Sequence, residues 1–326
     1  MVGITASIEV GTLRRTRSRV LGERFIQWLL LLCAISSIFA IFLIIVFVFS
    51  QGVPFLAEAG LGFLTGSVWL PADSFAAGTW GILPMIVGSL IVTVGAIAIG
   101  APLGIACAVF LAEIAPPAVR RALIPSVNAL AGVPSVVYGF FALLVIVPWI
   151  RGQFGGFGTS VLAFWIILAI MILPTIISIS TDSVRAVPRE FKEGSLAMVA
   201  TRCQTIRSVL IPAASSGIIA SVILGMGRAI GETMAVLQVC GNSVTIPGSI
   251  FAPVSTLTSQ IALEMNYATG AHQQALFAMG VVLFVFILIL TGLANLVSRR
   301  RVTYKWQLGS AILLLSDCSG GPVLRP

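Results

Sequence analysis

Six long apolar stretches, separated by short polar or basic segments, dominate the chain. They run over about Ile26–Phe49, Leu83–Leu111, Val127–Ile150, Ser160–Ser180, Ala213–Val239 and Gln274–Val297. At a rise of about 1.5 Å per residue, each can cross a hydrocarbon layer of about 30 Å as a helix. The pattern predicts an all-α integral membrane protein with six transmembrane helices. Pro102, Pro134 and Pro174 fall inside these spans. Pro102 is expected to kink the second span, and neighbouring helices can satisfy the backbone groups that a proline frees. The first stretch has the basic flank of a signal peptide. Its apolar core is too long, however, and no small-x-small cleavage site follows, so it reads as an uncleaved anchor. Three regions follow: a basic N-terminus over 1–25, a transmembrane domain over 26–300 and an atypical tail over 301–326.

Composition agrees with the pattern and charge orients it. Only 9% of the residues are charged and 58% are hydrophobic, against roughly 25% charged in a soluble domain. The net charge of +8 does not mark a nucleic-acid binder, because the basic residues form no single patch. All 19 Lys and Arg except Arg151 and Arg228 fall in four places: the N-terminal segment, the second connection, the fourth connection and the C-terminal segment. By the positive-inside rule, both termini and the even-numbered connections are cytoplasmic.

The residues needed for several chemistries are missing. The five cysteines form no CxxC pair, and there is one histidine, His272. No metal site, disulfide framework or nucleophilic triad is expected. A phosphate-binding loop for ATP requires Gly-Lys followed by Ser or Thr. Of the two lysines, Lys192 precedes Glu193 and Lys305 precedes Trp306. The chain is therefore expected to carry no catalytic residue and no cofactor. Any uphill transport must draw on an ion gradient or on another subunit.

Arg228 and Glu232 are the only oppositely charged pair inside a predicted span. At a spacing of four they would share one helix face. Ionisable groups at membrane depth are costly and usually face a bundle interior or an aqueous path. Two readings are open: a buried salt bridge that only fixes packing, or a polar gate for an anion. In the second reading, guanidinium matches a tetrahedral oxyanion. Glu232 then tempers the field so that the anion is released.

The fourth connection, about 181–212, predicts a short amphipathic helix. Pro188 is placed to start it and Glu190 favours its first turn. Phe191, Leu196, Met198 and Val199 supply apolar positions beside Lys192 and Glu193. Such a helix is an ordinary surface element, lies on the membrane, or docks in a partner's groove.

Two stretches carry a family resemblance. Glu193-Gly194-Ser195, closed by Val209-Leu210-Ile211-Pro212, resembles the cytoplasmic loop of ABC-importer permeases. The resemblance implies that this loop is the coupling helix, with Phe191, Glu193, Gly194 and Met198 touching an ATPase subunit. Gly194 and Ser195 replace the family's two alanines, and Val199 stands at its turn glycine. The string Gly227-Arg228-Ala229-Ile230-Gly231-Glu232-Thr233-Met234-Ala235-Val236 resembles the fifth-span signature of PstC-type phosphate-importer permeases. Related strings differ in molybdate and sulfate permeases. The likeness continues through Pro253–Thr258, Ile261–Met265 and Val133–Gly139, and covers roughly residues 21–300.

This second resemblance implies a type I ABC importer permease fold in a bacterial or archaeal cytoplasmic membrane. It also implies a gate for inorganic phosphate at Arg228, Glu232 and Thr233. The implied partners are a PstA-type permease, two ATPase subunits holding ATP-Mg, and an extracytoplasmic phosphate-binding protein, all within membrane lipid. The competing expectations are a permease for another oxyanion such as molybdate or sulfate, a secondary anion transporter, and a non-transporting scaffold. No second intramembrane carboxylate is expected to supply the coupling-ion site that a secondary transporter needs.

Overall fold

A computed structural model describes residues 17–317, with side chains over 25–296. Arg14, Arg15 and the tail beyond Asp317 lie outside the described residues. The chain divides into residues 1–50 and 51–326. The first unit holds most of α1 (Arg17–Thr65), whose side chains over 25–44 are all exposed. In the second unit, α1 continues to a break at Gly60. A two-stranded antiparallel hairpin follows, β1 (Trp69–Leu70) and β2 (Thr79–Trp80), with Trp69 opposite Trp80.

The remaining spans are helical, with two departures from the predicted bounds. α2 (Leu83–Val109) stays helical through Pro102 and ends in a π-helical turn over Phe110–Ile114. α3 (Pro117–Ala131) is a separate helix with no buried residue. α4 (Ser135–Phe141), a π-helical turn over Ala142–Ile146 and α5 (Val147–Phe154) make one span. α6 (Val161–Arg185) is the next, with Ser160 accepting a capping bond from the Ala163 amide. The fourth connection holds α7 (Arg189–Ala197) and α8 (Arg202–Thr205). A further π-helical turn (Ile206–Leu210) and α9 (Ile211–Ala213) lead into α10 (Ser215–Gly231). α11 (Met234–Val239), α12 (Leu257–Glu264) and the long α13 (Gly270–Asp317) complete the chain.

Among the described residues, five helices are long and apolar enough to cross a membrane. Taken as one span, Arg202–Ala213 and Ser215–Gly231, bent by 69°, meet the same criteria and bring the number to six. Two predicted boundaries are corrected. The third span begins at Ser135, not near Val127, because the residue before a proline is driven out of the helical region. Pro134 itself is extended, with φ −58° and ψ 140°. The fifth span is not continuous from Ala213 to Val239: its helix stops at Gly231 and restarts at Met234.

The core forms where α2 meets α6. Without a hydrophobic drive between helices in lipid, close approach at small residues supplies the packing. A Cβ at Gly95 would lie 2.0 Å from the Trp165 ring, and one at Gly104 2.7 Å from Ile176. The Trp165 indole N–H donates to the Ile91 carbonyl at 3.0 Å. Phe164, Ile167, Leu168, Met171 and Ile172 are buried beside them.

The connections meet in two groups, as alternating spans require. At one end, Asp73 of the first connection accepts bonds from Thr269 and from the Ala271 amide. There too, the Val161 and Leu162 amides donate to Ala252 and Ile250. At the other end, Lys192 of the fourth connection pairs with Glu113 beside the second. Arg120 there donates to the Leu111 and Ala112 carbonyls, capping the end of the second span.

Candidate functional site

The predicted gate residues flank a break in the fifth span. Arg228 lies in the last turn of α10, where a cation suits the helix dipole. The helix ends three residues later. Glu232 is extended (φ −68°, ψ 131°), and Thr233 has φ −121° and ψ −55°. Glu232 Oε1 accepts from the Thr233 and Ala235 amides, both at 3.2 Å. The carboxylate thus satisfies amides at the start of α11, a role that competes with continuing the helix. The Thr233 hydroxyl turns back to the Gly231 carbonyl at 3.2 Å.

This geometry corrects the expectation that Arg228 and Glu232 share a helix face. Among the described residues, no ion pair joins them. Arg228 Nη1 instead lies 3.4 Å from the Thr175 hydroxyl on α6. That long contact leaves most guanidinium donors free, since arginine carries five N–H groups. The half-buried side chain can therefore offer a forked donor to an oxyanion. Nearby, α4 packs on α11: a Cβ at Gly139 would lie 2.9 Å from the Ala235 Cα and 2.4 Å from Gln238 Oε1. That Gln238 oxygen is buried without a hydrogen-bond partner.

The residues expected to contact an ATPase lie together on and beside α7. Phe191 is 54% and Met198 80% exposed, and Glu193 and Gly194 are exposed with them. Ser195 faces inward and bonds to the Thr205 hydroxyl at 3.0 Å. α7 ends in a Schellman motif. The Val199 amide donates to the Leu196 carbonyl and the Ala200 amide to the Ser195 carbonyl. The motif needs a left-handed residue, and Val199 takes it with φ 61°. The valine read as standing at a turn glycine therefore has a glycine's conformation.

One polar cluster was not foreseen. Glu264 at the end of α12 is 7% exposed. Its carboxylate accepts from Trp69 Nε1 at 3.0 Å, Gln260 Nε2 at 2.7 Å and His272 Nε2 at 2.9 Å. At the start of α12, the Thr258 hydroxyl donates to the Glu232 carbonyl at 2.9 Å. The Leu257 amide there donates to Ser89 Oγ of α2 at 3.1 Å. The sequence signal was the polar run Ser255–Gln260 set among apolar segments, with Glu264 four residues on. The Trp69 indole that Glu264 meets is 195 positions away in the chain.

A family model described as "Binding-protein-dependent transport system inner membrane component" matches residues 100–303. The chain belongs to that family. The permease is 44% identical over 281 residues to a probable ABC transporter permease protein, YqgH, of Bacillus subtilis, covering 83% of this chain and 89% of that one. It is 37% identical to the phosphate transport system permease protein PstC of Mesorhizobium japonicum, covering 74% and 79%. Within the family the permease is therefore of the PstC type. In fold, it matches a chain of a bacterial alginate ABC transporter, solved with an alginate-bound periplasmic protein. There the TM-score is 0.61 and the identity 14%, with 87% of this chain and 98% of that one covered. The type I importer permease fold expected from the sequence is the fold observed.

Proposed function

We propose that the permease moves inorganic phosphate across the cytoplasmic membrane as one half of an ATP-driven channel. A PstA-type permease supplies the other half, two ATPase subunits hold ATP-Mg, and an extracytoplasmic binding protein delivers the anion. Both termini and the α7 loop face the cytoplasm, as the distribution of Lys and Arg supports. Phe191, Glu193, Gly194 and Met198 form the ATPase contact.

The observation that carries the reading is Arg228, half-buried beside a break in span five with most of its donors free. A dehydrating phosphate finds paired N–H donors there. Glu232, engaged by the α11 amides, and Thr233 border the same break. The Glu232 carboxylate limits the positive field, so that binding stays weak enough for release.

Labelled phosphate uptake tests this in cells lacking their own importers and expressing the permease with its partners. A hydrogen bond to a charged group contributes about 1.5–3 kcal/mol. Arg228→Gln should therefore lower uptake by about ten- to a hundredfold, with the protein still in the membrane. Normal uptake by that variant rejects the gate.

A further inference from the structure

α12 is fastened at both ends. Its first turn holds the break in span five through Thr258 and the Glu232 carbonyl, and holds α2 through Leu257 and Ser89. Its last residue, Glu264, holds the hairpin through the indole of Trp69 in β1 and holds α13 through His272. Between the ends, buried polar side chains lie within hydrogen-bonding distance of one another. Thr256 is 3.0 Å from Thr258 and 3.1 Å from Ser259, its one hydroxyl proton serving one of them at a time, and Ser259 is 3.3 Å from Ser255. Ser255 donates to Gln260 Oε1 at 2.9 Å, and Gln260 Nε2 donates to Glu264.

A helix of eight residues is a stiff rod about 12 Å long. The break it holds, at Glu232 and Thr233, is non-helical, and rotation about φ and ψ meets less resistance there than inside a hydrogen-bonded helix. At the other end, the hairpin exposes Val68 at 49% and Leu70 at 65%. It lies in the first connection, on the side opposite to α7.

We propose that Glu264 is a positioning residue for transport. It clamps α12 to the hairpin, so that a displacement of the hairpin by the docked binding protein reaches the backbone of Glu232, next to Arg228. The proposal rests on the reading of the chain as a binding-protein-dependent importer. A buried carboxylate suits the task. It accepts three donors at once, whereas glutamine offers one acceptor oxygen and turns an N–H group toward a donor.

The test is ATP hydrolysis by the whole transporter in proteoliposomes, with and without phosphate-loaded binding protein. Binding-protein affinity and subunit assembly are measured alongside. Glu264→Gln and Thr258→Val cut the path at opposite ends of α12. Both are expected to assemble and keep the basal rate. The stimulated rate should fall about fivefold or more, the lower end of ordinary coupling between sites. Basal and stimulated rates falling in parallel, or stimulation kept in both variants, overturns the proposal. Should Glu264→Gln fail to assemble, Thr258→Val, which leaves the Glu264 cluster whole, decides. Absence of stimulation in the unmodified transporter instead defeats the importer reading, and the proposal with it.

Discussion

Val199 is 90% exposed and left-handed, with a branched Cβ. An L-residue in that region costs about 1–2 kcal/mol, and the second Cγ of valine adds crowding. Val199→Gly removes the strain at a cost of about 0.5–1 kcal/mol in unfolded-state entropy. Its melting temperature in detergent should rise modestly, while Val199→Ala, still carrying a Cβ, should gain less. An unchanged melting temperature for the glycine variant would mean the loop relaxes elsewhere. This residue was legible in the sequence, because a fixed turn motif dictates one backbone angle at one position. The Arg228–Glu232 pairing was not. A spacing of four implies one face only while the helix continues, and here Glu232 spends its carboxylate on the α11 amides.

Among the elements, the spans were readable because apolar length alone identifies a membrane helix. Their interruptions were readable only in part. Pro134, read as lying inside the third span, instead precedes the start of α4, and the stop at Gly231 sits beside Thr258, which reaches the Glu232 carbonyl from the fifth connection. The same holds for Glu264: no local pattern tells a solvated carboxylate from one sealed under Trp69. Packing of α2 against this region leaves little room. A Cβ at Gly88 would sit 2.2 Å from the Ser255 carbonyl oxygen. Since that neighbour is backbone, Gly88→Ala should destabilise the permease by about 1–3 kcal/mol. A lower melting temperature in detergent would register the loss. No loss would show that the 254–255 segment shifts freely.

For the molecule as a whole, the two groups of connections divide the work. The group at the α7 end carries Arg120, Arg121, Arg185, Arg189, Lys192, Arg202 and Arg207, and the exposed Phe191 and Met198. Phe191→Ala combined with Glu193→Ala should weaken co-purification of the ATPase in mild detergent, leaving the permease pair intact. Undiminished recovery would place the ATPase contact elsewhere. The group at the other end holds the hairpin, α12 and the start of α13 in one aromatic and polar assembly. The Trp69 and His272 rings lie 6.2 Å apart, centre to centre. His272 is also the only histidine among the 326 residues. Nitrogen-15 labelling at histidine therefore places a single imidazole in the permease, provided that the purification tag contains none. That one ring becomes a spectroscopic reporter, its tautomer and hydrogen bonding readable by magnetic resonance in the assembled transporter without altering a residue.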